Sequence, residues 1–228
     1  RQRPMCLYDD NDTLWISDCS WSGGIYLIKL DKTNGLRDYT YTFPYEVNGK
    51  TTTPGAASAN CTSDPYFGKK IAGGYYVSGE ASYIEIGKYY FLFMSYGGLL
   101  SDGGYQMRIF RSENPDGPYV DCYGTSALFK SYKMNYSSTT ADNRGVFLFG
   151  GYQWDAMSGA EIAQGHNSAF VDKQNRSFVV YHTRFSNGGE GHQVRVHQLF
   201  LNDEGWLMAA PFEFDGETIT DAASASKA

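Results

Sequence analysis

Short apolar stretches alternate with polar turns along most of the chain, and this arrangement recurs three times. Each unit contains three predicted strands, separated by turns rich in Asp, Asn, Gly and Lys, which favour tight reversals of the backbone. No apolar pattern with the period of a helix persists long enough to compete. The predicted strands are 6–8, 13–16 and 24–30 in the first unit, 82–84, 90–93 and 105–110 in the second, and 168–171, 178–181 and 194–200 in the third.

These units predict an all-β protein of the β-propeller type, because repeated meanders of about 60–80 residues can be arranged around a common axis. A weaker fourth unit is expected around 145–149. The segment 39–67 is polar and rich in Gly, Thr and Ser, and is expected to be a long connection. We place the propeller domain at 1–216 and expect 217–228, where small and polar residues dominate, to form a flexible tail.

Composition narrows the possible function classes. The chain has 228 residues, of which 16% are aromatic and 19% charged, and its net charge is −6. A negatively charged chain without a basic stripe is not expected to bind nucleic acid. The sequence has no run of about 18 apolar residues, so no membrane span is predicted. The four cysteines show no CxxC spacing and predict no zinc site. The sequence is compatible both with disulfide bonds between them and with buried free thiols.

Glu80 is the leading candidate for chemistry. It lies between the small-residue turn 73–79 and the apolar, tyrosine-rich segment 81–94. Apolar surroundings disfavour a charged carboxylate and raise its pKa, which is what a general acid requires at neutral pH. A glutamate at a strand edge, facing solvent, is the alternative interpretation.

Several other polar segments are expected to share one end of the sheets with Glu80. In a meander, the start of a first strand and the end of a second strand lie at the same edge, and ligand sites collect at such mouths. The segment 165–168, which contains His166, is interpreted as the start of a strand. Ends of second strands are expected at 19–22, 95–97 and 182–184.

Five motifs, spread over nearly the whole chain, combine into a more specific pattern. They are Ser20-Trp21-Ser22-Gly23-Gly24-Ile25, Ser78-Gly79-Glu80-Ala81, Arg111-Ser112 with Asp116-Gly117-Pro118-Tyr119, Gly165-His166-Asn167-Ser168, and His192-Gln193-Val194-Arg195-Val196 with Asp203-Glu204-Gly205-Trp206. Each motif alone is weak. In this order they resemble glycoside hydrolase family 43, in particular its endo-1,5-α-L-arabinanase branch.

The resemblance implies a five-bladed propeller that hydrolyses the α-1,5-linked arabinofuranosyl bonds of plant cell-wall arabinan with inversion. It implies that Glu80 is the general acid. It also implies that His166 faces a central channel, where a calcium or sodium ion is held through this histidine and water. Ser20, Trp21 and Arg184 line the sugar subsite in this interpretation. The residues alone also allow purely structural roles. In that interpretation His166 is a core histidine, Ser20 belongs to a turn, Trp21 is a packing residue and Arg184 lies on the surface.

The sequence departs from the family pattern at the other two acidic positions. The family's general base lies in a His-Asp-Pro-like motif of the first blade, and these 228 residues contain no such motif. Arg3-Pro4 stands where an Asp that tunes the acid is expected, and Asp18 does not align with the base. The chain is therefore interpreted as an N-terminally incomplete propeller, blades 2 to 5 with the first partial, whose base comes from other sequence.

Three explanations of this departure lead to different functions. The chain is one piece of a split enzyme, a truncated product, or a degenerate relative that binds arabinan without cleaving it. The last gives the alternative function, a catalytically inactive arabinan-binding propeller; exo-arabinofuranosidase and β-xylosidase specificities also stay open. Exposed strand edges of an open propeller predict pairing with an N-terminal fragment or self-association. Secretion to the extracellular or periplasmic space is expected, although no signal peptide opens the sequence.

Overall fold

Antiparallel strands form the regular structure of the chain. A computed structural model describes residues 5–20, 24–43, 63, 66–73, 81–128 and 144–216, with only the backbone described at 19–20 and 81–84. No helix long and apolar enough to cross a membrane occurs in these residues. Their strands are β1 (Met5–Tyr8), β2 (Leu14–Ser20), β3 (Gly24–Leu30), β4 (Lys69–Ala72), β5 (Ala81–Ile86), β6 (Tyr89–Tyr96), β7 (Gln106–Ser112), β8 (Val146–Phe149), β9 (Glu161–Val171), β10 (Ser177–Phe185), β11 (Gln193–Leu201) and β12 (Leu207–Ala209).

The strands form three four-stranded sheets, and each follows the chain order as a meander. We call β1–β4, β5–β8 and β9–β12 the first, second and third sheets. All three predicted units are confirmed, and each has a short fourth strand that was not predicted as part of it. The separate unit expected around 145–149 is wrong, because Phe149 pairs with Met107 and makes β8 the edge of the second sheet. The predicted tail at 217–228 and most of the connection at 39–67 lie outside the described residues.

A recurrent turn explains why the meanders are readable in the sequence. Asp172 accepts hydrogen bonds through Oδ1 from the backbone N–H groups of Gln174 and Arg176, at 2.9 and 2.8 Å. Asn175 takes a positive φ of 60°, which Asn tolerates better than most residues. The same side-chain pattern, with bonds to the second and fourth residues onward, occurs at Asp9, Asp121 and Asn202.

The second sheet is buried on both faces. Leu92 of β6 belongs to an apolar cluster that includes Leu27 of the first sheet. Phe93, which points to the opposite face, belongs to a cluster with Val179 of the third sheet. Burying each such side chain contributes about 1.5–3 kcal/mol. Because alternate side chains of β6 enter the two clusters, this one strand packs against both the first and the third sheet.

The first strands of the three units lie next to one another. β5 packs against β1 and β2 on one side and against β9 on the other. Sheets that stack face to face and place their first strands around a common centre have propeller architecture. A polar link adds to this packing, since Asp116 accepts hydrogen bonds from Tyr41 Oη at 2.6 Å and Lys69 Nζ at 2.8 Å. Burial alone raises the pKa of Asp116, but these two bonds outweigh it and hold the pKa below its usual value.

Candidate active site

An irregular strand, β9, lies at the centre of the candidate site. Its pairing with β10 shifts register on both sides of His182. The φ angles of Ala163 and His166 are positive, at 55° and 50°. Such backbone costs on the order of 1–3 kcal/mol per residue and, like β-bulges, collects at functional sites, where it re-aims side chains. The prediction that 165–168 starts a strand is wrong: β9 begins at Glu161, and a bulge within it places His166.

Three of the four histidines gather around this irregular segment. The ring centroid of His182 is 6.0 Å from that of His166 and 4.6 Å from that of His192. Tyr105 stacks on His182 at 5.8 Å, with an angle of 25° between the rings. The Tyr105 ring also occupies the space where a Cβ of residue 165 would lie, so the close approach requires Gly165.

A hydrogen bond ties this cluster to the second sheet. Ser95, fully buried near the end of β6, accepts a hydrogen bond through Oγ from the backbone N–H of His166 at 3.1 Å. This bond joins the second strand of one sheet to the first strand of the next. This bond and the ring contact between His166 and His182 bring together three of the segments that were expected at one end of the sheets, whereas Glu80 and most of 19–22 lie outside the described residues.

Arg184 holds together two loops at this mouth. The surface-arginine interpretation is wrong, because Arg184 is only 4% exposed. Its guanidinium donates to the carbonyl of Leu99 in the β6–β7 loop and pairs with Glu190 Oε2 at 2.7 Å in the β10–β11 loop. Glu190 in turn accepts a bond from Ser101 Oγ at 2.6 Å. Bonds from the Ser101 hydroxyl and N–H, with the charge of Arg184, lower the pKa of Glu190.

The described residues offer a metal ion few protein ligands here. They contain no group of three or more His, Cys, Asp or Glu side chains that could hold one. Gln164, two positions before His166, is fully buried, and neither of its side-chain amide atoms has a hydrogen-bond partner among the described residues. Ordered water or an ion is the usual partner of such a buried group. The residues therefore fit a loosely held ion with mostly water ligands, and do not fit a protein-only cage.

The remaining predicted site residues lie at the border of what the structure describes. Glu80 and Trp21 are outside the described residues, and so is the side chain of Ser20. The backbone of Ser20 ends β2 and pairs with Gly24. The roles predicted for these three side chains stay predictions. Tyr105, His192 and Gln164 were not predicted as members of the site.

Comparison with known proteins shows extensive similarity. The chain is 37% identical over 227 residues to the extracellular endo-α-(1→5)-L-arabinanase of Thermotoga petrophila and 35% identical over 227 residues to extracellular endo-α-(1→5)-L-arabinanase 2 of Bacillus subtilis. A crystal structure of a family 43 glycoside hydrolase from Bacillus licheniformis matches 94% of the chain and 44% of its own, with a TM-score of 0.75 and 35% identity. The chain is related to the glycoside hydrolase family 43 arabinanases. No family model matches it.

The relationship to family 43 confirms the fold class, all-β and of the five-bladed propeller type. The similarity covers 95% and 96% of the chain but only 42% and 43% of the Thermotoga and Bacillus subtilis proteins. The chain thus spans less than half the length of these two relatives. The assignment of the three described sheets to particular blades of a complete propeller stays a prediction.

Proposed function

We propose that the protein is a secreted glycoside hydrolase that cleaves α-1,5-linked arabinofuranosyl bonds of arabinan. The observation that carries this proposal is the identity of 37% and 35%, over 95% and 96% of the chain, with proteins named extracellular endo-α-(1→5)-L-arabinanases. The mouth described above supports it, because polar side chains from two sheets converge there beside a bulged strand.

The proposed reaction is an inverting hydrolysis with two carboxyl groups. The acid, Glu80, donates its proton to the leaving glycosidic oxygen as the bond to the anomeric carbon breaks. A carboxylate base takes a proton from water, whose oxygen bonds to that carbon from the opposite face. We propose that the base lies in sequence other than these residues, since the chain spans less than half of its relatives' length.

The sugar subsite is proposed to be bordered by Ser20, Trp21 and Arg184. Tryptophan provides a flat apolar face for a sugar ring, and serine a hydroxyl for hydrogen bonding. The bonds of Arg184 to Leu99 and Glu190 support a positioning role, because they hold the two loops at the mouth in place. Direct contact between Arg184 and a sugar stays a prediction.

We propose that a calcium or sodium ion lies in the central channel near His166, with water molecules as its other ligands. Removing calcium with a chelator is expected to lower the Tm. At a free ion concentration about 100-fold above Kd, a bound ion adds about 2.7 kcal/mol, which is roughly 5–10 °C for a chain of this size. Differential scanning calorimetry measures the shift, and added calcium should reverse it. A His166→Ala variant should respond less to the chelator. An unchanged wild-type Tm would exclude a stabilising calcium ion, and a Tm that follows sodium concentration instead would identify the alternative ion.

Incubation with linear 1,5-arabinan tests the proposed reaction. We expect the protein, together with the sequence that supplies the base, to release new reducing ends, and the length distribution of the products separates endo from exo action. Xylan serves as the control polymer and should stay intact. Retardation of the protein in an arabinan-containing native gel, without release of reducing ends, would instead establish the inactive arabinan-binding propeller.

A further inference from the structure

An open cavity lies at one end of the first sheet, between the turn that joins β1 to β2 and the segment that follows β3. Its volume is about 670 Å³. Leu14 pairs with Leu30 beside this cavity, whereas Ser20 pairs with Gly24 at the other end of the same two strands. A strand rises about 3.3 Å per residue, so Leu14 and Ser20 are roughly 20 Å apart. The cavity is therefore separate from the sugar subsite proposed near Ser20.

Two turns that are braced by their own aspartates border the cavity. Asp9 Oδ1 accepts hydrogen bonds from the backbone N–H groups of Asn11 and Thr13, at 2.9 and 2.8 Å. Asp31 Oδ1 accepts bonds from the N–H and the hydroxyl of Thr33, at 2.8 and 2.7 Å. Because these bonds are made within each turn, the shape of the cavity wall is set before a ligand binds.

Tyr39 provides an aromatic surface to the cavity. Its side chain lines the cavity and is 79% exposed. The guanidinium carbon of Arg37 lies over the ring, 5.0 Å from its centroid, and Nη1 of Arg37 donates to the carbonyl of Tyr66 at 2.9 Å. An anchored cation thus covers one face of the ring, and the high exposure leaves the other face available for stacking.

Accessible charged groups line the same cavity as this ring. Lys29 Nζ pairs with Asp38 Oδ2 at 3.4 Å, and 32% and 20% of the two side chains are exposed. Lys32 pairs with Asp12, and at least half of each of these side chains is exposed. An ammonium group can donate three hydrogen bonds and a carboxylate can accept about four. Each pair can therefore also bind hydroxyl groups that enter the cavity.

The charges in the cavity select a neutral, polyhydroxylated ligand. The described lining contains three cations, Lys29, Lys32 and Arg37, and three carboxylates, Asp12, Asp31 and Asp38. Bonds from Thr40 hold the pKa of Asp38 below its usual value, and the bond to Asp12 raises the pKa of Lys32. Both groups are therefore charged at neutral pH and form strong hydrogen bonds. An ionic ligand meets groups of its own sign here, whereas a hydroxyl donates to a carboxylate and accepts from an ammonium.

We propose that this cavity is a second carbohydrate site, which holds a short stretch of an arabinan chain. Tyr39 stacks on a furanose ring, and the Lys29–Asp38 and Lys32–Asp12 pairs bind its hydroxyl groups. The volume lies within the ~300–1,000 Å³ that is typical of small-molecule sites. Binding here tethers the protein to the polymer and raises the effective concentration of arabinan at the mouth. The identity of the sugar rests on the proposed function, whereas the site itself rests on the geometry.

Titration with arabinotriose, followed through the assigned backbone amide resonances of ¹⁵N-labelled protein, tests the site. We expect the signals of 11–13 and 31–38 to shift saturably. Tyr39→Ala removes the stacking ring, and Lys29→Met removes a donor while keeping an apolar stem. Each variant should weaken the apparent Kd, read from the same signals, about tenfold. Near-ultraviolet circular dichroism verifies that the variants are folded.

Two controls test the aromatic contact and the selection for a neutral ligand. Tyr123→Ala removes an aromatic ring that is 91% exposed and outside the cavity, so this variant should bind arabinotriose as wild type does. Trigalacturonic acid carries three carboxylates and should leave the signals of 11–13 and 31–38 in place. Tighter binding of trigalacturonic acid than of arabinotriose would overturn the assignment to a neutral sugar.

The possible outcomes separate this site from the proposed reaction. Hydrolysis of arabinan by the protein, together with the sequence that supplies the base, but with unmoved signals at 11–13 and 31–38, would overturn the second site and leave the reaction standing. Shifted signals without hydrolysis by that assembly would support the site and overturn the reaction. Equal Kd values in wild type, Tyr39→Ala and Lys29→Met would overturn the site.

Discussion

Replacing Glu80 by alanine is expected to lower the turnover of arabinan by about 10²–10⁴-fold, the usual contribution of a general acid. Without a proton donor, the leaving sugar must depart as an alkoxide, which is a poor leaving group. Binding of arabinotriose should change little, because the carboxyl is one contact among many. Initial rates on linear 1,5-arabinan and calorimetric titration with the trisaccharide measure the two effects separately.

A substrate that needs no protonation distinguishes acid catalysis from a general loss of structure. With a 4-nitrophenyl arabinofuranoside the leaving group is already stable as an anion, so Glu80→Ala should lose much less activity than on arabinan. Glu113→Ala is the control for removing a carboxylate, since Glu113 pairs with Lys88 on the exposed surface, away from the mouth. Unchanged arabinan turnover in Glu80→Ala would contradict the assignment of the acid.

The fold was predictable because its local signals repeat. Turns such as the one at Asp172 are specified within five residues, and the strands beside them carry continuous apolar runs. The short strands β4 and β12, with four and three residues, were missed because so few residues carry no readable period. For the same reason β8 was assigned to a unit of its own. Only its pairing with β7 shows where it belongs, and pairing between distant segments has no local signal.

The candidate site was predictable in part. His166 and the segment 182–184 were correctly expected to lie close together, although His166 lies within β9 and not at its start. The bulges around His182 were not visible, because the first half of β9 is buried on both faces, and such a segment has no apolar–polar alternation whose phase a bulge could shift. Tyr105 and His192 reach the site from separate loops. The burial of Arg184 depends on the two loops that it joins, so its environment could be read only from the folded chain.

The contact between the second and third sheets gives a second large expected effect. The guanidinium carbon of Arg111 lies 4.3 Å from the ring centroid of Tyr89 and 4.0 Å from that of Trp206. Its Nη1 donates to the carbonyl oxygens of Glu204 and Gly205, each at 2.6 Å. One side chain on β7 thus holds both an aromatic ring and the turn that precedes β12.

Arg111→Ala is expected to lower the free energy of unfolding by about 2–4 kcal/mol, because two cation–π contacts and two charge-assisted hydrogen bonds are lost together. For a chain of this size that is roughly 5–15 °C in Tm, measured by calorimetry or thermal circular dichroism.

Two further variants show whether the geometry of Arg111, and not its charge alone, is responsible. Arg111→Lys keeps the charge, but an ammonium group cannot lie flat between two rings, so most of the loss should persist. Arg37→Ala is the matched control, since Arg37 stacks 5.0 Å from the ring of Tyr39 and donates to the carbonyl of Tyr66 at an exposed site. Its removal should cost less than about 1 kcal/mol. Equal losses in Arg37→Ala and Arg111→Ala, or full rescue by lysine, would show that the stacking between the two sheets contributes little.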